Sequence, residues 1–168
     1  MALVNGRGIV NGYRIEGNAK LMYADLRGAD LAGADLLGAD LSSAKLADAN
    51  LTGARMPLVI LDCANLRGAD LSGADLHGAN LSNTDLENTN FTDANLTGVS
   101  FIDANLMGAN LTGANLEGTN FYIARVEPHH LPLIRAAAQK TLDSITVLAS
   151  RTPNPAYGTR RGPRGYKY

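Results

Sequence analysis

Every fifth residue from Leu21 to Val126 is apolar, and this period constrains the chain more than any other feature. The 22 positions hold 17 Leu, three Phe (Phe91, Phe101, Phe121), Met56 and Val126. Two residues earlier, the 22 positions from Ala19 to Ala124 hold 17 Ala, three Thr and two Val. The residue just before the apolar position is Asp or Asn in 16 of 22 units, and the residue two after it is Gly in 11 of the 21 units from Tyr23 to Ile123. The consensus A-[DN]-L-x-G runs without insertion or deletion across about 110 residues.

A period of five fits neither common element. On an α-helix five residues turn by about 500°, so successive leucines form no stripe. In a strand five is odd, so successive leucines alternate faces. A coil with one flat side every five residues satisfies the pattern: Leu and Ala point inward, and the chain corners at the polar and Gly positions, where Gly tolerates unusual backbone angles and Asp and Asn favour turns. Four sides close a square, so one coil takes about 20 residues and buries its Leu layer only against its neighbours. Aromatics make up 5% of the chain and Trp is absent, so a narrow interior of small aliphatic groups is expected.

Units such as Ala24-Asp25-Leu26-Arg27-Gly28 and Ala69-Asp70-Leu71-Ser72-Gly73 resemble those of the pentapeptide repeat family, and the resemblance runs from about Gly17 to Val126. It implies an all-β solenoid, the right-handed quadrilateral β-helix, here followed by a C-terminal α-helix and a basic tail. Five and a half coils at a strand spacing of about 4.8 Å give a rod of roughly 26 Å. The expected organisation is an N-terminal cap (1–16), the β-helix (17–126), a capping or dimerisation helix (127–150) and a Gly/Pro/Arg/Tyr tail (151–168).

Stacking units 20 apart sorts the outward positions into four faces. The first is the most apolar, with Met22, Tyr23, Ile60, Cys63, Ile102, Tyr122 and Ile123. Exposed apolar patches mark contact surfaces, so Met22, Tyr23, Ile60, Ile102, Tyr122 and Ile123 are candidate interface residues. The third face is small, flat and nearly uncharged. Met56-Pro57-Leu58-Val59-Ile60 breaks the consensus, as a docking bump or a drifted repeat. Asp35, Arg55 and Asp75 fall in one column, and Asp25 and Lys45 in another, so intervening cations and amides dilute stacked carboxylates.

Candidate chemistry is sparse. His129-His130 has no Cys or carboxylate at a known metal-ligand spacing. Cys63 sits outward with no fixed base. Gly6-Arg7-Gly8 lacks the strand-loop-helix context of a phosphate loop. A Leu-filled rod leaves no substrate pocket. The expectation is a non-enzymatic protein with no cofactor and no metal.

The ends carry the individuality. Leu3-Val4 and Ile9-Val10 flank Asn5-Gly6-Arg7-Gly8, which predicts a hairpin cap. After Pro128 and Pro132, Leu133 to Ser150 reads as an amphipathic helix, with Ile134, Ala138, Leu142, Ile145 and Leu148 at helical spacing. Its stripe either covers the last coil or pairs with a second copy, so Ile134, Leu142, Ile145 and Leu148 join the candidate interface. The tail carries +5 and no acid, against −7 for residues 17–126. Its Arg151, Tyr157, Arg160, Arg161, Arg164, Tyr166, Lys167 and Tyr168 are candidate contacts for phosphate backbones, bases or an acidic protein surface.

These features point to a structural or protein-interaction module in a homo-oligomer or larger assembly, such as a virion or other particle. The resemblance offers an alternative: a DNA mimic that binds DNA gyrase and confers quinolone or toxin resistance, although four cations interrupt the acidic rod. Nucleic-acid tethering through the tail is a third reading. No run of about 18 apolar residues and no signal peptide is seen, so the expected location is cytoplasmic or within a particle, with no membrane.

Overall fold

A computed structural model describes Leu3, residues 5–138 and Leu148–Ala149. The five-residue period resolves into a four-sided coil. Eighteen parallel bridges, from Lys20↔Asp40 to Asn105↔Arg125, each join residues 20 apart. At each bridge two backbone hydrogen bonds run in opposite senses along the rod. The Leu41 amide donates up to the Ile60 carbonyl at 2.7 Å, and the Ile60 amide donates down to the Ala39 carbonyl at 2.9 Å. Each side contributes one bridge rather than a regular strand, because the turns on either side leave only the [DN]-L pair extended.

The corners are four-residue turns. In one of them the Ala44 amide donates back to the Leu41 carbonyl at 3.0 Å. The third turn residue always has a left-handed backbone, with φ between 52° and 71° at all 21 positions from Tyr23 to Ile123. That is the requirement of a type II turn, and it explains the Gly preference there. The aspartates and asparagines pin the same corners. Asp70 Oδ1 accepts from the Ser72 amide at 2.9 Å and Asn80 Oδ1 from the Ser82 amide at 3.1 Å, the Asx geometry that makes these residues turn formers.

Leu and Ala fill the interior as the period requires. Leu26 to Leu106 are fully buried wherever the consensus Leu is present. The three Phe sit towards the C-terminal end. Phe101 and Phe121, one coil apart, stack at 5.1 Å, while Phe91 meets Phe101 edge-on at 6.1 Å. Thr84 and Thr89 replace Ala and are buried, and their hydroxyls donate to the carbonyls of Leu61 and Leu66. Met56-Pro57-Leu58-Val59-Ile60 keeps the coil geometry, with Met56, Pro57 and Val59 buried and Leu58 and Ile60 exposed.

Both ends carry elements that the repeat does not contain. The N-terminal hairpin joins β1 (Gly8–Val10) to β2 (Tyr13–Ile15), with Gly8 opposite Ile15. Its turn is Asn11-Gly12, with φ of 50° and 84°, the combination a tight hairpin favours. Within the predicted turn segment Asn5-Gly6-Arg7-Gly8, Asn5 and Gly6 hold the same left-handed pair, with φ of 51° and 74°, while Val4 lies outside the described residues. The segment also docks on the first coil, where the Asp35 amide donates to the Gly6 carbonyl at 2.7 Å.

At the C-terminal end, β3 (Arg125–Val126) closes the last coil, a 3-10 turn spans Pro128–His130, and α1 runs Leu131–Ala138. The predicted helix to Ser150 is corrected at Leu148. Leu148–Ala149 form β4, which pairs in parallel with β3 in the register Arg125↔Leu148. The chain thus returns to the sheet ladder, because β3 offers backbone hydrogen bonds that a helix at Leu148 would leave unmade.

Candidate interaction surface

With the interior committed to packing, everything available for recognition lies on the outer faces and the ends. The first face is less continuous than the sequence suggests. Met22 and Tyr23, 48% and 70% exposed, stand at the N-terminal end of the rod. The coils above them place Ser42, Ser43, Asp62, Ser82 and Asn83 on this face, and Ile60 lies between Asp40 and Asn80 in its column. Only at the C-terminal end do apolar residues occupy successive coils of this face. Ile102 and Tyr122 lie one coil apart, with Ile123 beside Tyr122 and the Asp103 amide donating to the Tyr122 carbonyl at 3.1 Å. Ile123 holds φ at 52°, a left-handed backbone that a β-branched residue resists.

Ile134 is buried in the chain's own core, so α1 covers the last coil with it. Leu142 and Ile145 lie outside the described residues. So do Arg151, Tyr157, Arg160, Arg161, Arg164, Tyr166, Lys167 and Tyr168.

The corner columns explain the charge pattern. Asp30, Asn50, Asp70, Asn90 and Asn110 form one column, and the Asn50 and Asn90 amides donate to Asp30 and Asp70 at 3.0 and 3.1 Å. Asn95 and Asn105 donate likewise to Asp75 and Asp85. No two aspartates are neighbours in any column of bridged residues.

Asp35 is the most enclosed carboxylate of the rod. Arg7 donates to it twice, at 3.0 and 2.6 Å, and Arg55 once at 3.0 Å. The Arg7 guanidinium, aided by Arg55, holds its pKa below the usual carboxylate range. Gly6-Arg7-Gly8 is therefore a clasp from the cap to the rod. Arg27 similarly draws Asp25 down to about 2. Arg67 bridges Glu87 and approaches Asp85 at 3.6 Å.

Cys63 is exposed and donates to the Asp62 carboxylate at 3.4 Å, which pushes the thiol pKa up, against nucleophilic use. Among the described residues no three His, Cys, Asp or Glu side chains converge as a metal site would need, and no helix is long and apolar enough to cross a membrane. Sequence reasoning also gave no interface role to exposed Ile9 and Leu133, and Leu58, in the segment it left as a docking bump or a drifted repeat, is 58% exposed.

The comparisons with known proteins agree with this architecture. The pentapeptide repeats family matches in eight copies, over residues 19–56, 59–88 and 84–122. A crystal structure of a pentapeptide repeat protein (Rfr23) from the cyanobacterium Cyanothece 51142 is similar at 39% identity, with a TM-score of 0.52. That match covers 53% of this chain and 60% of the other. A pentapeptide repeat protein of the Arabidopsis thaliana thylakoid lumen matches at 31% identity over 67% of this chain and 75% of its own, with a TM-score of 0.48. QnrB1, a plasmid-mediated fluoroquinolone resistance protein, matches at 21% identity over 74% of each chain, with a TM-score of 0.32. Among curated proteins, none matches closely enough to count as a relative. With its 20-residue parallel coil, its left-handed backbone at every corner and its continuous apolar core, this chain belongs to the pentapeptide repeat family, whose fold is the right-handed quadrilateral β-helix.

Proposed function

We propose that this protein is a non-catalytic interaction scaffold that associates with copies of itself through the C-terminal end of its first face. The observation that carries this reading is the Ile102–Tyr122–Ile123 cluster. Tyr122 is 46% exposed and lies one coil beyond Ile102 on the same face. Ile123 occupies a corner where Gly would be free of strain and where a left-handed backbone costs an L-residue about 1–2 kcal/mol. Apolar groups held at an unfavourable corner fit a contact surface better than a solvated face. A rigid rod with a filled interior supports display of surfaces rather than turnover of a small substrate.

Size-exclusion chromatography with light scattering tests the reading. The expected result is a dimer or larger species that a Tyr122→Glu variant shifts toward monomer while its circular dichroism is retained. A strict monomer at micromolar concentration, or assembly unchanged by Tyr122→Glu, overturns it. Removing residues 151–168 separates a tail contribution: the assembly weakens while the rod stays folded.

A further inference from the structure

We propose that His130 is a proton-sensitive latch that holds the C-terminal cap on the rod when neutral and releases it when protonated. The joint between rod and cap has an unusual composition. His130 ends the 3-10 turn that leads into α1, is 6% exposed, and lines one groove with Gly108–Gly113, His129 and Leu133. Its Nδ1 is buried without a hydrogen-bond partner, alone among the side chains of the described residues. A buried imidazole lacking an acceptor tolerates the neutral ring and penalises the imidazolium.

The charged and titratable groups around it do little to offset that penalty. The His129 ring lies 4.1 Å away, edge-on, and repels a second positive charge. Glu127 favours the charged form but ranks last among the influences, behind burial and His129. Residues 108–113 of the last coil carry no charge, and Arg135 of α1 is exposed. Burial first, and His129 second, therefore hold the His130 pKa below its ordinary 6.5.

What the latch covers gives it consequence. In lower coils the amides of the Leu and corner positions donate to the coil above, as Leu71 does to Asn90 and Gly73 to Thr92. In the last coil the amides of Leu111, Gly113, Leu116 and Gly118 make no such bond among the described residues. They form an open sheet edge, a template for strand addition, and α1 lies over it with Ile134 in the core. Lifting α1 bares that edge.

The sign follows from linkage. A base whose folded pKa is depressed binds fewer protons folded than released, so the cap weakens as pH falls through the window below 6.5. One proton limits the effect to about tenfold in the opening equilibrium per pH unit.

The test is native-state hydrogen exchange by NMR on the full chain between pH 5 and 8, corrected for intrinsic rates, together with titration of the His130 ring. Opening of Ile134–Ala137 amides is expected to rise several-fold to tenfold from pH 7 to 5. Mid-rod amides such as Leu66 are expected to stay constant. His130→Phe is expected to abolish the pH dependence and His129→Gln to retain it. If His130→Phe fails to seat the cap, the wild-type titration decides. A His130 ring that titrates at 6.5 or above, cap opening independent of pH, or an unchanged profile in a seated His130→Phe variant overturns the proposal.

Discussion

Asn50→Asp is the sharpest test of what the corner columns do. Asn50 stands between Asp30 and Asp70, its side-chain amide donates to Asp30 Oδ1 at 3.0 Å, and its own Oδ1 accepts from the Thr52 amide at 3.1 Å. Aspartate is nearly isosteric and keeps the second contact, so the turn is preserved and only the column changes. Three carboxylates then stand in successive coils about 4.8 Å apart. At that spacing in a water-like medium each neighbouring pair repels by about 1 kcal/mol. Loss of the amide-to-carboxylate hydrogen bond adds about 1 kcal/mol, so the variant should be about 2–3 kcal/mol less stable at pH 7. The repulsion acts only between ionised carboxylates, so the penalty is present at neutral pH and fades as acid protonates the column. Denaturant unfolding at pH 7 and pH 3.5, with and without about 0.5 M salt, reads this directly, since salt at that level screens exposed charges within a few ångströms. A loss below about 0.5 kcal/mol at pH 7, or a deficit that neither acid nor salt reduces, refutes the argument that amides and cations are spaced to keep carboxylates apart.

Phe101→Ala removes a fully buried ring that touches both Phe91 and Phe121, and should cost about 3–5 kcal/mol in denaturant unfolding. Gly53→Ala meets open space at φ +62° and should lose only the left-handed penalty of about 1–2 kcal/mol. Gly6→Ala should lose distinctly more than Gly53→Ala in thermal melts, because its new Cβ falls 2.7 Å from the Asp35 amide nitrogen and closer still to the Gly33 carbonyl oxygen. Arg7→Ala should flatten the acid limb of the stability profile: with the Asp35 pKa depressed in the fold, stability is present above the ordinary carboxylate pKa and lost as pH falls below it. A melting-temperature series from pH 7 to pH 2 checks this, and an acid limb as steep as wild type contradicts the clasp.

The body of the fold is legible because one constraint repeats. A Leu every fifth residue leaves no regular helix or strand that buries it, and Asp or Asn before each Leu supplies the Asx contact that sets the corner. The column logic was legible too: Asp35–Arg55–Asp75 and Asp25–Lys45 follow from a 20-residue coil, and both pairings occur. The ends resisted because they answer to tertiary partners. Two Asn-Gly pairs near the N-terminus both hold the left-handed backbone of a tight turn. Sequence reasoning found the first and passed over Asn11-Gly12, which joins β1 to β2, and it had no sign that Gly6 is also held by the Asp35 amide with no room for a side chain. The apolar spacing from Ile134 to Leu148 reads as helix, yet the unpaired edge of β3 claims Leu148–Ala149, next to a β-branched run, Ile145-Thr146-Val147, that favours strand. Apolar outward positions were identifiable as a face, but their grouping was not. Three intervening coils, with Ser42-Ser43, Asp62-Cys63 and Ser82-Asn83 on this face, separate Met22 and Tyr23 from the Tyr122 cluster. The lone buried nitrogen of His130 left no pattern at all, since a histidine beside a proline-started helix reads the same whether wet or dry.

The uniform offset of 20 makes the rod an indexing device. Each five-residue unit turns the chain through one quarter of a circuit, so length and orientation are linked. An insertion of 20 residues lengthens the rod by one coil and leaves every face in line. An insertion of five would rotate the Tyr122 surface and the C-terminal cap by a quarter turn relative to the Arg7 clasp, and an insertion of one would carry the Leu layer out of the core. Variation in this chain is thus quantised: spacing between the two ends can change in coil-sized steps, and their relative heading only in right angles.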